Sequence, residues 1–232
     1  MLPYRDDASS RRFTLVTSAL ILANAALFAF ALLRPAASRG VVRSLALTPG
    51  RISAWAAHPR ASVWPVATLV TSLFVHAGTL HLAGNMLYLF VFGPAVEEGL
   101  GAFGYLVLYM GAGVVSGLAQ VAIAPGSMAA VVGASGAIAG VLGAYLLIHP
   151  RARVGIFPAI PWRRPIRELP ATLYLIAWFA LQLFAALGEG ASGGAGLRVA
   201  WWSHVAGFLF GAAAGPMLER PKAAQARRRS RH

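Results

Sequence analysis

Four polar residues in this 232-residue chain combine in type and spacing into something that could do chemistry: Ser135, His204, His81 and Asn85. A serine hydroxyl is a weak nucleophile until a neighbouring base takes its proton, and histidine is the usual base. Attack on an amide then builds an oxyanion that needs positioned donors. Asn85 can offer an amide N–H, His81 a ring N–H, and Ser135 its own backbone N–H. His81 and Asn85 are four residues apart, so a helix puts them on one face. Ser135 lies in Gly133-Ala134-Ser135-Gly136 and His204 in Trp201-Trp202-Ser203-His204.

No carboxylate is placed to orient the histidine. The acids are Asp6, Asp7, Glu97, Glu98, Glu168, Glu189 and Glu219, all at the ends of apolar stretches or outside them. Glu97 would stand about 18 Å beyond Asn85 along a helix, toward the opposite leaflet. The inventory therefore points to a Ser135–His204 dyad. Each residue also has a plainer use: Asn85 as interhelical glue, His81 as a satisfied polar group near an interface, Ser135 as a small packing residue. His76 and His149 read as interfacial or structural.

The elements that must carry these residues follow from where charge is missing. Only 12% of residues are charged and 58% are hydrophobic, against about 25% charged in soluble domains. Mean hydropathy is +0.65. No Lys, Arg, Asp or Glu occurs in 13–33, 61–96, 99–150, 169–188 or 199–218. A bilayer-spanning helix needs about 20 apolar residues, so a polytopic membrane protein is expected. Arg11-Arg12 precedes the first run, but that run exceeds a signal-peptide core of about 7–15 residues and reads as a retained span.

The 99–150 gap breaks at Pro125-Gly126-Ser127, and six spans result: 13–33, 79–96, 102–123, 129–148, 169–188 and 199–218. Segment 34–64 carries Pro35, Pro49, Pro59, Trp55, His58 and Trp64. With the amphiphilic stretch 66–75 it reads as a partly helical loop in the interface. The expected fold is all-α and polytopic. Residues 1–12 form a short basic cytoplasmic N-terminus, 13–219 the membrane domain and 220–232 a basic cytoplasmic tail. Six spans put both termini on one side, with 14 of the 20 basic residues there, and the positive-inside rule makes that side cytoplasmic. A cell (inner) membrane is expected, and heavy use of Arg, Ala and Gly is compatible with a GC-rich bacterial genome.

Spans two, four and six would all run from outside to inside. Ser135 would then lie about six residues, or ~9 Å, into its span and His204 about five, or ~8 Å, at a depth similar to that of His81. Gly136, Gly140 and Gly143 on span four, and Gly207, Gly211 and Gly215 on span six, would let the two backbones approach closely. His204 is three residues before Gly207, hence on the same stripe, and a close crossing would bring it to Ser135.

Other classes are excluded by inventory. There is no Cys, so thiol catalysis and disulfides are ruled out. No HExxH motif occurs, and the only aspartates precede the first span. No metal or cofactor is expected. A pI near 11.6 would suggest nucleic acid in a soluble protein, but here the arginines sit at span ends and suit lipid headgroups. A transporter or channel would predict inverted repeats or intramembrane charges, and neither is visible.

At His81-x-x-x-Asn85, Gly133-x-Ser135-Gly136, His204-x-x-Gly207-x-x-x-Gly211 and the run from Gly93-Pro94 through Glu97 to Gly101, the chain resembles the rhomboid family of intramembrane serine proteases. Order and spacing agree over about residues 66–216. The resemblance implies a six-helix rhomboid-like bundle with an interfacial first loop, and a serine atop the fourth helix paired with a histidine on the sixth. It further implies that His81 and Asn85 help bind the oxyanion, and that transmembrane protein substrates are cut within or near the lipid bilayer without a cofactor. Those substrates would tend to have small residues at the cut. Two positions depart from the family pattern. Trp64 is followed by Pro65 where Trp-Arg is common, and Ala139 stands where an aromatic often packs against the histidine, so another aromatic would have to orient His204. The connection 188–200, with five glycines and no proline, suits a mobile lid or a plain connector. The alternative to a protease is a catalytically silent rhomboid-like protein that binds membrane clients.

Overall fold

Leu15–Leu33 (α1) contains neither Gly nor Pro nor a charge, so nothing interrupts its backbone ladder. Its first turn is satisfied from outside. The buried Glu97 carboxylate accepts the N–H of Val16 (2.9 Å), and the N–H and hydroxyl of Thr17 (both 2.7 Å). A negative charge with three donors at a helix N-terminus is well placed, which explains how an acid is tolerated here. The structure, a computed structural model, describes residues 2–10, 14–59, 62–157, 166–189 and 200–221.

The expected interfacial loop is three short helices, Pro35–Leu45 (α2), Pro49–Ala57 (α3) and Trp64–Thr71 (α4), each with Pro in its first turn. A 3-10 turn, Ser72–Phe74, follows. Trp64 does anchor this region despite Pro65: its Nε1 donates to the Ser44 carbonyl at 3.0 Å.

Thr79–Ile123 (α5) runs 45 residues and breaks at Gly101, where φ is 78°. Only glycine adopts that backbone easily, and a Cβ there would also lie 2.7 Å from the Arg220 guanidinium. The first half of α5 therefore continues to residue 100, four beyond the expected end of span two. Ser135–Ile148 (α6) starts six residues later than expected. Residues 129–134 are not helical: Val131 bridges to Leu47 and the Gly133 N–H donates to the Ser72 carbonyl at 3.0 Å. Ser135 is thus the first residue of its helix rather than a turn and a half inside it. Ala171–Glu189 (α7) and Trp201–Leu218 (α8) complete the helices. His204 lies three residues into α8 rather than five.

The all-α expectation is incomplete. Leu2–Asp6 (β1), Arg153–Phe157 (β2) and Ile166–Pro170 (β3) form an antiparallel sheet in the order β1-β2-β3. Arg5 and Glu168 pair across it at 2.6 Å, and the Tyr145 hydroxyl of α6 donates to Asp6 at 2.9 Å. Residues 2–6 are therefore part of the fold.

Among the described residues, three helices (Leu15–Leu33, Thr79–Ile123 and Ala171–Gly188) are long and apolar enough to cross a membrane. At the centre α6 is buried from Gly136 to Tyr145 and packs between α5 and α8. The α6–α8 contact is backbone on backbone. A Cβ on Gly207 would strike the Gly136 carbonyl, one on Gly211 the Gly140 carbonyl, and one on Gly143 the Phe208 carbonyl. The glycine stripes are used as the sequence predicts.

Candidate active site

That backbone contact places the start of α6 against the start of α8. His204 Nε2 lies 2.8 Å from Ser135 Oγ. Ser135 is half-buried and His204 is 9% exposed. Next to His204, the Ser203 hydroxyl donates to the Ser116 carbonyl of α5 at 3.0 Å, which fixes the rotation of α8. The other ring nitrogen, Nδ1, is 2.7 Å from Gln182 Oε1 on α7. Trp201 meets the imidazole edge-on at 5.9 Å, and Trp178 lies at 6.3 Å. Two aromatic rings thus contact His204 although Ala139 supplies none, and Ala139 itself is fully buried in the core.

Gly133 turns the chain into α6 with φ 120°, a conformation that side chains disfavour. A Cβ there would lie 2.7 Å from the His81 ring and 3.6 Å from Asn85 Nδ2. His81 and Asn85 therefore sit over the backbone two residues before Ser135. As the first helical residue, Ser135 has a backbone N–H with no intrahelical acceptor, at the positive end of α6. Asn85 Nδ2 is 2.9 Å from His76 Nε2, and the His76 and His81 rings meet edge-on at 5.1 Å. Burial, then the neighbouring His81, pushes the His76 pKa down to about 4, so the ring is neutral near pH 7 and its Nε2 can accept from the Asn85 amide. That bond aims the amide group. A cavity of about 580 Å³ joins Ser135, His204, His81, Asn85 and Gln182.

The structure brings all four sequence-predicted residues to one cavity. Gln182, which the sequence did not single out, also lines that cavity, and His76 stands behind it on Asn85. Gln182 is the one amide within the charge-free 169–188 stretch, and that isolation was its signal. His76, expected to be interfacial or structural, is buried behind Asn85. His149 is remote from the cavity, its Nε2 3.2 Å from the Ala95 carbonyl. The connection 188–200 and the tail beyond residue 221 lie almost wholly outside the described residues. Among the described residues no cluster of His, Asp or Glu could hold a metal ion.

The Rhomboid domain family matches residues 62–221 of the chain. The chain belongs to the rhomboid family. Its apolar helices agree with the membrane location of a rhomboid protein. Similar relatives include the Bacillus subtilis protein YdcA, 39% identical over 80 residues (34% of this chain and 40% of that protein). Rhomboid protease GluP of Bacillus subtilis is 41% identical over 80 residues (34% of this chain, 15% of that protein). Rhomboid-like protein 11, chloroplastic, of Arabidopsis thaliana is 32% identical over 145 residues, 61% of this chain and 49% of that protein. The matched stretch thus spans less than half the length of each of these relatives.

Proposed function

We propose that this rhomboid protein is an intramembrane serine endopeptidase that cuts transmembrane segments of membrane proteins through a Ser135–His204 dyad. The observation that carries the reading is the 2.8 Å approach of His204 Nε2 to Ser135 Oγ in a cavity that the Asn85 amide and the His81 ring also line. His204 takes the hydroxyl proton as Oγ attacks the scissile carbonyl. The Ser135 N–H, the Asn85 amide and the His81 ring receive the oxyanion. His204 then passes its proton to the leaving amine, and water repeats the sequence on the acyl-enzyme.

The six spans in this reading are α1, the two halves of α5, α6, α7 and α8, with both termini in the cytoplasm of a bacterial inner membrane. The 14 residues of α6 extend only about 21 Å, short of the ~30 Å hydrocarbon core. With its C-terminal end at the inner interface, Ser135 sits roughly 9 Å below the outer one. Residues 124–134 fill the space above it. Leu173, Ile176, Leu181, Phe184 and Leu187 of α7 are exposed and face lipid in this arrangement. Movement of α7 admits the substrate helix, and cross-linking α7 to the first half of α5 blocks cleavage. The chain lacks Cys, so single introduced cysteines test the topology without background.

The deciding assay is cleavage of a transmembrane reporter in liposomes by the parent, Ser135→Ala and His204→Ala. The parent cleaves and both variants do not; equal cleavage by the parent and Ser135→Ala refutes the proposal.

A further inference from the structure

The geometry points to Gln182 as the positioning residue that sets the tautomer of His204, and so ties catalytic competence to the seating of α7. The inference rests on the protease reading above and adds a third member to its dyad.

A neutral imidazole carries one N–H. With the proton on Nδ1, the Nε2 lone pair faces the Ser135 hydroxyl and can take its proton; with the proton on Nε2, the ring donates to Oγ and cannot act as base. Gln182 Oε1 can only accept, and it lies 2.7 Å from Nδ1. Both side chains are buried, so an unmade bond at Nδ1 would not be replaced freely by water. Among the described residues lining the cavity there is no carboxylate to do this instead. A neutral acceptor also suits the depth, because it orients the ring without burying a charge in a low-dielectric site.

Gln182 differs from the rest of the site in what holds it. Ser135 and His204 come from α6 and α8, whose backbones touch through glycines. Gln182 comes from α7, whose first turns are tied down by the bond between the Tyr174 and Tyr88 hydroxyls at 2.7 Å. Gln182 sits two turns further along. Displacing that part of α7 withdraws the acceptor from Nδ1, and reseating it restores the competent tautomer.

The test is the rate at which a soluble fluorophosphonate labels Ser135 in the purified full chain in detergent. The parent is labelled and Ser135→Ala is not. Gln182→Leu, with similar bulk and no acceptor, slows labelling about 10- to 100-fold, while KM for a transmembrane reporter changes little. Gln182→Glu keeps a carbonyl acceptor and restores labelling to within about fivefold of the parent. Gln182→Met replaces the leucine variant if that one unfolds, with the same slowing expected. Labelling of Gln182→Leu or Gln182→Met at the parent rate overturns the inference alone, as does a Gln182→Glu variant as slow as they are. A parent chain that is not labelled overturns the protease reading and the inference with it.

Discussion

Replacing Gly133 by Ala perturbs the site while leaving Ser135, His204, His81 and Asn85 themselves unchanged. The residue has φ 120°, and holding an L side chain there costs about 1–3 kcal/mol. The new Cβ would also stand 2.7 Å from Cε1 and Nε2 of His81. Ordinary carbon contacts lie at about 3.5–4.0 Å, so the ring must retreat by roughly 1 Å. Asn85 Nδ2, at 3.6 Å, need not move. A donor displaced by that much no longer meets the oxyanion, and losing one such donor costs about 3–4 kcal/mol, or roughly 10²–10³ in kcat. Reporter cleavage in liposomes, with thermal unfolding measured on the same preparations, separates the two effects. Gly133→Ala should lose about two to three decades of kcat with KM nearly unchanged and only a modest loss of stability. Turnover within threefold of the parent would refute the reasoning. So would a deficit that vanishes once activity is expressed per folded molecule.

Gly211→Val drives a side chain into the Gly140 carbonyl and should destabilise the protein by about 1–3 kcal/mol or more. Gly40→Ala, where nothing lies within 4 Å, is the matched control, and thermal unfolding compares them. Glu97→Gln keeps the shape but removes the charge facing the start of α1; a loss of about 1–2 kcal/mol is expected in the same assay. Acidification should also destabilise the fold. His76 has a folded pKa of about 4 against an ordinary 6.5, so between those values the unfolded chain binds the extra proton. Stability present above pH 6.5 is therefore lost as pH falls toward 4. His76→Gln should flatten that part of the Tm-against-pH curve.

Much of the site was legible in the sequence because a bilayer makes polar residues conspicuous. Ser135, His204, His81 and Asn85 stand out against apolar neighbours, and the glycine stripes indicate which helices touch. The helix starts were less legible. Residues such as Met128 and Val131 are as apolar as a span, so hydropathy runs on through a stretch that is in fact non-helical, with Val131 bridged to Leu47. The sheet was hidden for another reason: β1 and β2 are separated by most of the chain, and five-residue strands carry little local signal. Glu97 was recognisable as a span-end acid, but not as the cap of a helix 80 residues earlier. Gln182 was visible as an isolated amide; its partner depended on how α7 turns toward α8.

The central claim is that His204 activates Ser135, and labelling by a fluorophosphonate with the modified residue read by mass spectrometry tests it most directly. A single modified residue, Ser135, is expected in the folded parent chain, and no labelling in His204→Ala. Equal labelling of Ser135 in His204→Ala, or modification of a different residue in the parent, would contradict it.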